Sequence, residues 1–305
     1  MAIIAGNVVN REQFADLFTS RLPYIDDILI NRFNDVAVIY PELFKVLDSD
    51  RMFEEVTGIT GLGLFSKKTE GDTIVYDKPL QGFDKRYEHD TFAKGTQITR
   101  EGMQDDIDGA ISDLTPMLAR SARNSIETEA ASDFNLGFTT VTTPDGLSFF
   151  NTAHVLVGGG TFSNRVTGDL SQSTMEEAAN LFDNQVDDRN QFLDFAAQVL
   201  VFPPALRWLV HELLKSQQRP DSNINAANSL QQLNISPVMW RYLTNATDWF
   251  LGAGPDDHEL RFYWKENPVT DHSLDFDSGN MKSKMTMRFS HGPADPRGWI
   301  GGDGT

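Results

Sequence analysis

From Ile107 to Phe134 apolar side chains recur every three or four residues, at Ile107, Ile111, Leu114, Leu118, Ala122, Ile126, Ala130 and Phe134. This is the spacing of one helical face. It predicts a helix of roughly thirty residues from Asp105 to about Asn135, far longer than the mean of about 11 to 12. Pro116 falls inside it and, lacking an N–H, should kink or split the helix, with Thr115 a cap for a second piece. The stripe keeps its phase across Pro116, so a kink is expected. Asp105, Asp106 and Asp108 lie at the helix start, where carboxylates offset the positive end of the dipole. Their spacing does not converge them into a catalytic pair.

The segments around this helix alternate between strand and helix signals. Two β-prone runs, Leu62 to Phe65 and Thr73 to Tyr76, flank the turn signal Glu70-Gly71-Asp72, which predicts a long hairpin within Gly61 to Ile98. A two-stranded ribbon is only marginally stable in water, so this one needs a partner surface. Downstream, Asn151 to Val157 is strand-like. Ser173 and Glu176 have capping-box spacing, with Met175, Ala179, Phe182 and Val186 on one face of a helix ending near Asp188-Arg189-Asn190. Phe195 to Phe202 reads as an apolar strand and Pro203-Pro204 as the opening of a helix through Lys215. Met239 to Leu243 and Trp249 to Leu251 read as short strands, and the alternation of Met281, Met285, Met287 and Phe289 as another. At the N-terminus, residues 9 to 20 predict a short amphipathic helix bearing Phe14, Leu17 and Phe18, stopped by Pro23. Tyr24 to Val56 carries apolar residues without a stripe, as an arm would that buries side chains against neighbours. The chain is therefore α+β without an internal repeat.

Composition narrows the function classes. The 305 residues allow about two domains. The absence of cysteine removes disulfides, thiolate metal sites and a cysteine nucleophile. A formal charge of -18 repels phosphate backbones and disfavours dedicated nucleic-acid binding. No segment approaches the ~20 apolar residues of a membrane span, and the N-terminus lacks a basic leader, so a soluble, cytosolic product is expected.

No motif assembles an active site. Gly158-Gly159-Gly160 lacks the G-x-G-x-x-G order, and GITGLGLFSKK around Gly58 to Lys68 lacks the Gly-Lys-Ser/Thr of a P-loop. These glycines are read as permitting close backbone passage or positive φ. Asp256-Asp257-His258-Glu259 follows Gly254-Pro255 and reads as a solvated turn, whose consecutive side chains seldom face one ion. It nonetheless supplies the rival reading of a metal-dependent hydrolase. Of the histidines at 89, 154, 211, 258, 272 and 291, none sits in H-E-x-x-H, and His154 reads as a satisfied core or interface residue. No catalytic, cofactor-binding or metal residues are assigned, and no cofactor is expected.

Three ordered segments carry a resemblance. YEHDTFAKGTQITREGMQDD (Tyr87 to Asp106), DGLSFFNTAHVLVGGGTFSNR (Asp145 to Arg165) and Met285 to Gly301 with ADPRGWIGG resemble the major capsid proteins of tailed double-stranded DNA phages, particularly the Mu-like head-subunit group. FPPALRWLVHELLKSQQRP, from Phe202 to Pro220, resembles that family's axial-domain helix. The resemblance implies the Hong Kong-type capsid fold. Its parts would be an N-terminal arm (1–56), an extended loop (57–97), a peripheral domain with a spine helix (98–191), an axial domain (192–279), and a C-terminal strand returning to the peripheral domain with a closing segment (280–305).

It further implies a non-enzymatic head subunit that self-assembles into pentamers and hexamers of an icosahedral shell enclosing double-stranded DNA. Portal, scaffolding and decoration proteins would be its partners, the virion its location, and the host cytoplasm its place of assembly. An encapsulin-like compartment shares the architecture and is the near alternative. Some capsids of this fold carry Lys–Asn crosslinks; here Lys67, Lys68, Lys78 and Lys85 are read instead as solvating charges on an exposed edge. No fused scaffolding segment is expected, and Met1 suggests an unprocessed start.

Overall fold

The computed structural model describes residues 38–99, 107–216, 228–275 and 277–304, with 107–116 as backbone alone. The expected helix over residues 9–20 lies outside the described residues. The chain divides into two compact units, one holding Asp90–Ile126 and Glu266–Arg288, the other Ile39–His89, Glu127–Lys265 and Phe289–Thr305.

The second unit is built on a five-stranded sheet of β7 (Arg165–Thr167), β13 (Trp299–Asp303), β10 (Trp249–Ala253), β8 (Ala197–Phe202) and β9 (Ser236–Met239), in that spatial order. The inner strands β13, β10 and β8 pair antiparallel, whereas β7 and β9 join the two flanks parallel. Every residue of β10 is buried, and the alternation of side chains along a strand separates two cores. On one face Trp249, Leu251 and Ala253 join Met175, Ala178 and Phe182 of α3 (Gln172–Asp183) and Val210, Leu213 and Leu214 of α4 (Arg207–Lys215). On the other face Phe250 packs 5.0 Å from Phe134, which also meets Trp240 at 5.6 Å and Trp299 at 5.0 Å, ring centre to ring centre. Gly302 lies opposite Trp249, and a Cβ there would stand 2.0 Å from the indole, so the close sheet packing requires the glycine.

The long helix α2 (Ile107–Asn135) runs unbroken through Pro116. Leu118, Ala122, Ile126, Ala130 and Phe134, spaced by four, are all buried, as the stripe predicts. Glu127 on the same helix is buried too. Its carboxylate accepts from the Ile39 N–H (2.8 Å), the Tyr40 N–H (3.3 Å) and the Trp240 indole (2.6 Å). Those bonds secure α1 (Tyr40–Leu43), whose Tyr40 and Leu43 are buried. The apolar residues of the Tyr24 to Val56 stretch thus include a fixed anchor within the same unit.

A second sheet has the order β1 (Lys45–Asp48), β11 (Leu260–Leu274), β12 (Met281–Pro293), β4 (Asp90–Ile98). Met281, Met285, Met287 and Phe289 of β12 are buried at period two, as expected. Strand β11, fifteen residues long, has no counterpart in the sequence expectations. Its outer half is polar and contains Pro268, which normally argues against a strand. Strand β1 pairs with β11 from Arg261 to Trp264, and among the described residues no strand is paired on that side beyond it, where Pro268 lies.

Other expectations are corrected in detail. The second helix starts two residues early, at Ser171, because Thr174 replaces Glu176 as the reciprocal partner in the capping box. It stops at Asp183, where residues 185–193 fold into a turn. Met239 to Leu243 is not a strand: β9 ends at Met239 and the chain turns at Arg241–Tyr242. Pro203-Pro204 opens a 3-10 turn, Pro204–Leu206, that feeds α4.

Candidate assembly surface

The hairpin forms at its base and loses its ladder outward. Strand β2 (Phe53–Ile59) pairs antiparallel with β3 (Gln81–Glu88), from Phe53↔Glu88 to Ile59↔Gln81. One further link joins the arms, Thr60 N–H to Leu80 O at 3.0 Å, with Leu80 N–H donating to Thr60 Oγ1 at 2.8 Å. Past it the expected strands Leu62 to Phe65 and Thr73 to Tyr76 do not form: neither segment is in a strand. The turn itself is where the sequence puts it: Asp72 N–H donates to Thr69 O at 3.1 Å, with Gly71 at φ +90°. Every residue from Gly61 to Leu80 is exposed. Among them are Leu62, Leu64, Ile74, Val75, Tyr76 and Phe65, the last fully solvent-accessible. Apolar side chains grouped this way mark surfaces that another molecule covers, and a ribbon with nothing behind it has no packing to hold a ladder.

Lys67, Lys68 and Lys78 are exposed on this loop. Lys85 is not the solvated edge charge expected: its Nζ donates to Thr142 O at 2.6 Å, and burial lowers its pKa. It fastens β3.

Next to the hairpin base lie the glycine run, the buried His154–Asp145 hydrogen bond and the half-buried Asp188–Arg297 ion pair. His154 is fully buried, with Nδ1 2.7 Å from Asp145 Oδ2 and Nε2 3.2 Å from both Phe149 O and Asn164 Oδ1. Burial alone would raise the Asp145 carboxyl, but hydrogen bonds with His154 and Thr143 bring it down to about 2. A satisfied core histidine is thus what the geometry shows. His154 opens β5 (His154–Val155), which pairs with β6 (Thr161–Phe162), and the glycines form the connection. Gly159 and Gly160 have φ of +93° and +102°, while a Cβ on Gly158 would stand 2.0 Å from Asp188 O. Both roles anticipated for these glycines, positive φ and close passage, are present. Asp188 in turn accepts from Arg297 Nη2 at 2.7 Å, and Arg297 also holds Asp295 at 3.1 Å.

The tetrad Asp256, Asp257, His258 and Glu259 does not converge. Asp256 is exposed and Glu259 is engaged by Lys45 at 2.8 Å and by Arg261 at 2.7 Å. His258 is buried rather than solvated. Burial, helped by Lys45, pushes its pKa down to about 4, and its Nδ1 accepts the Leu260 N–H. Among the described residues no three acidic or histidine side chains are grouped to hold a metal ion. Asp105 and Asp106 lie outside the described residues.

The family model described as phage capsid protein matches residues 82–301. No curated protein matches. Among solved structures, the capsid of the cyanophage P-SCSP1u superposes with a TM-score of 0.59 at 10% identity, covering 88% of this chain and 88% of that one. The bacteriophage JBD30 capsid gives 0.59 at 13% identity, over 68% of this chain and 92% of that chain. The mature capsid of bacteriophage PhiM1 gives 0.58 at 9%, over 88% of each. At such identities the likeness is one of fold, the Hong Kong-type capsid fold. The family match covers more than two thirds of the sequence, from β3 to β13, and distinguishes no subgroup. The chain belongs to the phage capsid protein family and is a structural capsid subunit of the virion, not an enzyme.

Proposed function

We propose that this subunit closes into pentamers and hexamers of an icosahedral shell around double-stranded DNA, and that the loop from Gly61 to Leu80 is a principal contact between copies. The observation that carries the proposal is the twenty-residue exposed run with its apolar side chains. Burial of such surface against a neighbour yields about 25 cal/mol per Å², and the same contact orders arms that have no ladder of their own. The proposed parts are the arm (1–56), the extended loop (57–97), the peripheral domain (98–191), the axial domain (192–279) and the returning C-terminal segment (280–305). The charge of -18 suits a container that holds DNA without adhering to it. Portal and scaffolding proteins are the further partners this role calls for.

A deletion from Lys67 to Lys85 would remove most of β3 and the Lys85 anchor. The cleaner variant deletes Leu64 to Tyr76 and joins Gly63 to Asp77, which the Gly63 N–H···Asp77 Oδ2 bond holds together at 2.7 Å. Negative-stain microscopy with sedimentation is expected to show closed shells or five- and six-membered rings for the wild type, and soluble subunits for the deletion. Normal particles from the deletion would refute the role given to the loop.

A further inference from the structure

The turn that follows α3 grips both arms of the extended loop at once. Asp187 Oδ1 accepts the backbone N–H groups of Arg189 and Gln191, both at 2.8 Å, and Asn190 adopts φ +58° to make the tight reversal. The two side chains so presented take one arm each. Gln191 Nε2 donates to Leu62 O on the outgoing arm at 2.6 Å, and Arg189 Nη2 donates to Lys78 O on the returning arm at 2.7 Å. Arg189 also lies 3.6 Å from Asp77, the residue whose carboxylate ties Gly63 to the opposite arm. Behind the turn, Asp188 is fixed to the body by Arg297 and by the Val157 N–H at 3.2 Å, with Gly158 packed on its carbonyl.

From this arrangement we infer that Asp187–Gln191 is a clasp that sets the direction of the extended loop in the free subunit, so that the loop reaches a neighbour already aimed. Three features support it. The arms have no ladder of their own beyond Thr60 and Leu80, so their orientation has to come from elsewhere. The bonds from the clasp end on backbone carbonyls close to the last paired residues, where a small rotation swings the tip furthest. And the clasp is anchored on the half-buried Asp188–Arg297 ion pair, whereas its gripping end meets exposed chain, so it can let go without disturbing the core. Ordering the loop beforehand lowers the entropy lost when it binds.

The inference rests on the loop being an intersubunit contact, but its first test does not. Amide hydrogen exchange on the unassembled full-length chain compares wild type with the double variant Arg189→Ala/Gln191→Ala. Exchange at Thr60, Gly63 and Leu80 is expected to rise about tenfold or more, while amides of β8 and β10 keep wild-type protection. Unchanged exchange in the loop would overturn the clasp. If the double variant fails to fold, Gln191→Ala alone, which spares Arg189, is expected to show the same rise on the outgoing arm, and no rise there would overturn it equally. Microscopy of the same variants then reads the assembly half. Slower closure and misformed particles are expected, whereas wild-type particles formed at the wild-type rate would refute pre-aiming even with the loop freed. Loss of assembly in the Leu64 to Tyr76 deletion tests the contact itself, which keeps the two failures distinct.

Discussion

At the scale of single residues, the buried titratable groups set how the subunit responds to acid. His258 has a folded-state pKa of about 4 against an ordinary 6.5, because burial and Lys45 oppose its charge. The unfolded chain therefore binds the proton first, and stability falls as pH drops from about 6.5 to about 4, by about 3 kcal/mol in total. Asp145 behaves differently. Its stabilising effect is complete above its usual value of 3.8 and is lost only as pH falls towards about 2. His258→Asn retains an oxygen that can accept the Leu260 N–H but cannot titrate. Urea denaturation at a series of pH values is expected to show a flatter slope between pH 6.5 and 4 in this variant, with the loss below pH 3.8 unchanged. The same slope in both proteins would remove His258 from the account. Neither group was legible as buried from spacing alone: Asp256 to Glu259 has the composition of a solvated turn, and it is the packing of Trp299, 5.4 Å from the imidazole, that closes over His258.

At the scale of elements, local signals were readable where local chemistry decides the outcome. The helical stripe from Leu118 to Phe134 and the Thr69 to Asp72 turn follow from periodicity and from one glycine. The capping box shows the limit of that reading. A Ser-x-x-Glu spacing pointed to Ser173, yet Ser171 and Thr174 cap α3, because a threonine hydroxyl can return the bond as a glutamate would. Ser171→Ala is expected to cost about 1 kcal/mol in chemical denaturation, and Ser173→Ala a few tenths at most. A larger loss at Ser173 would restore the original assignment. Strand β11 was not readable because its polar outer half and Pro268 carry no local strand signal, and its place is set by pairing within the sheet. The arms of the loop failed in the opposite sense: β-prone sequence is present, but every residue from Gly61 to Leu80 is exposed and the ladder ends at its base.

At the scale of the whole molecule, three ordered sequence segments carried the architecture, and the structure gives two of them a shared purpose. The glycine run at 158–160 and the Asp-Pro-Arg of 295–297 meet at Asp188, behind the clasp. Sequence reading could not find the clasp itself, since Arg189 and Lys78 are separated by 111 positions and their contact is a donor meeting a backbone carbonyl.

The place of β13 in the sheet also governs when the subunit becomes usable. This strand lies between β7 and β10 and supplies Trp299 and Ile300 to the two cores. Its parallel partner β7 gains its place in the sheet from this strand, with Arg165 opposite Gly301. A nascent chain emerging from the ribosome therefore cannot complete its sheet until synthesis has passed Asp303, however early the long helix forms. Chains truncated after Ala294 are expected to be captured by proteases or chaperones, seen as rapid turnover in pulse-chase labelling, and to be absent from particles. Late closure of the core would make length its own checkpoint: a polypeptide that stops short of that strand is expected to stay out of the shell.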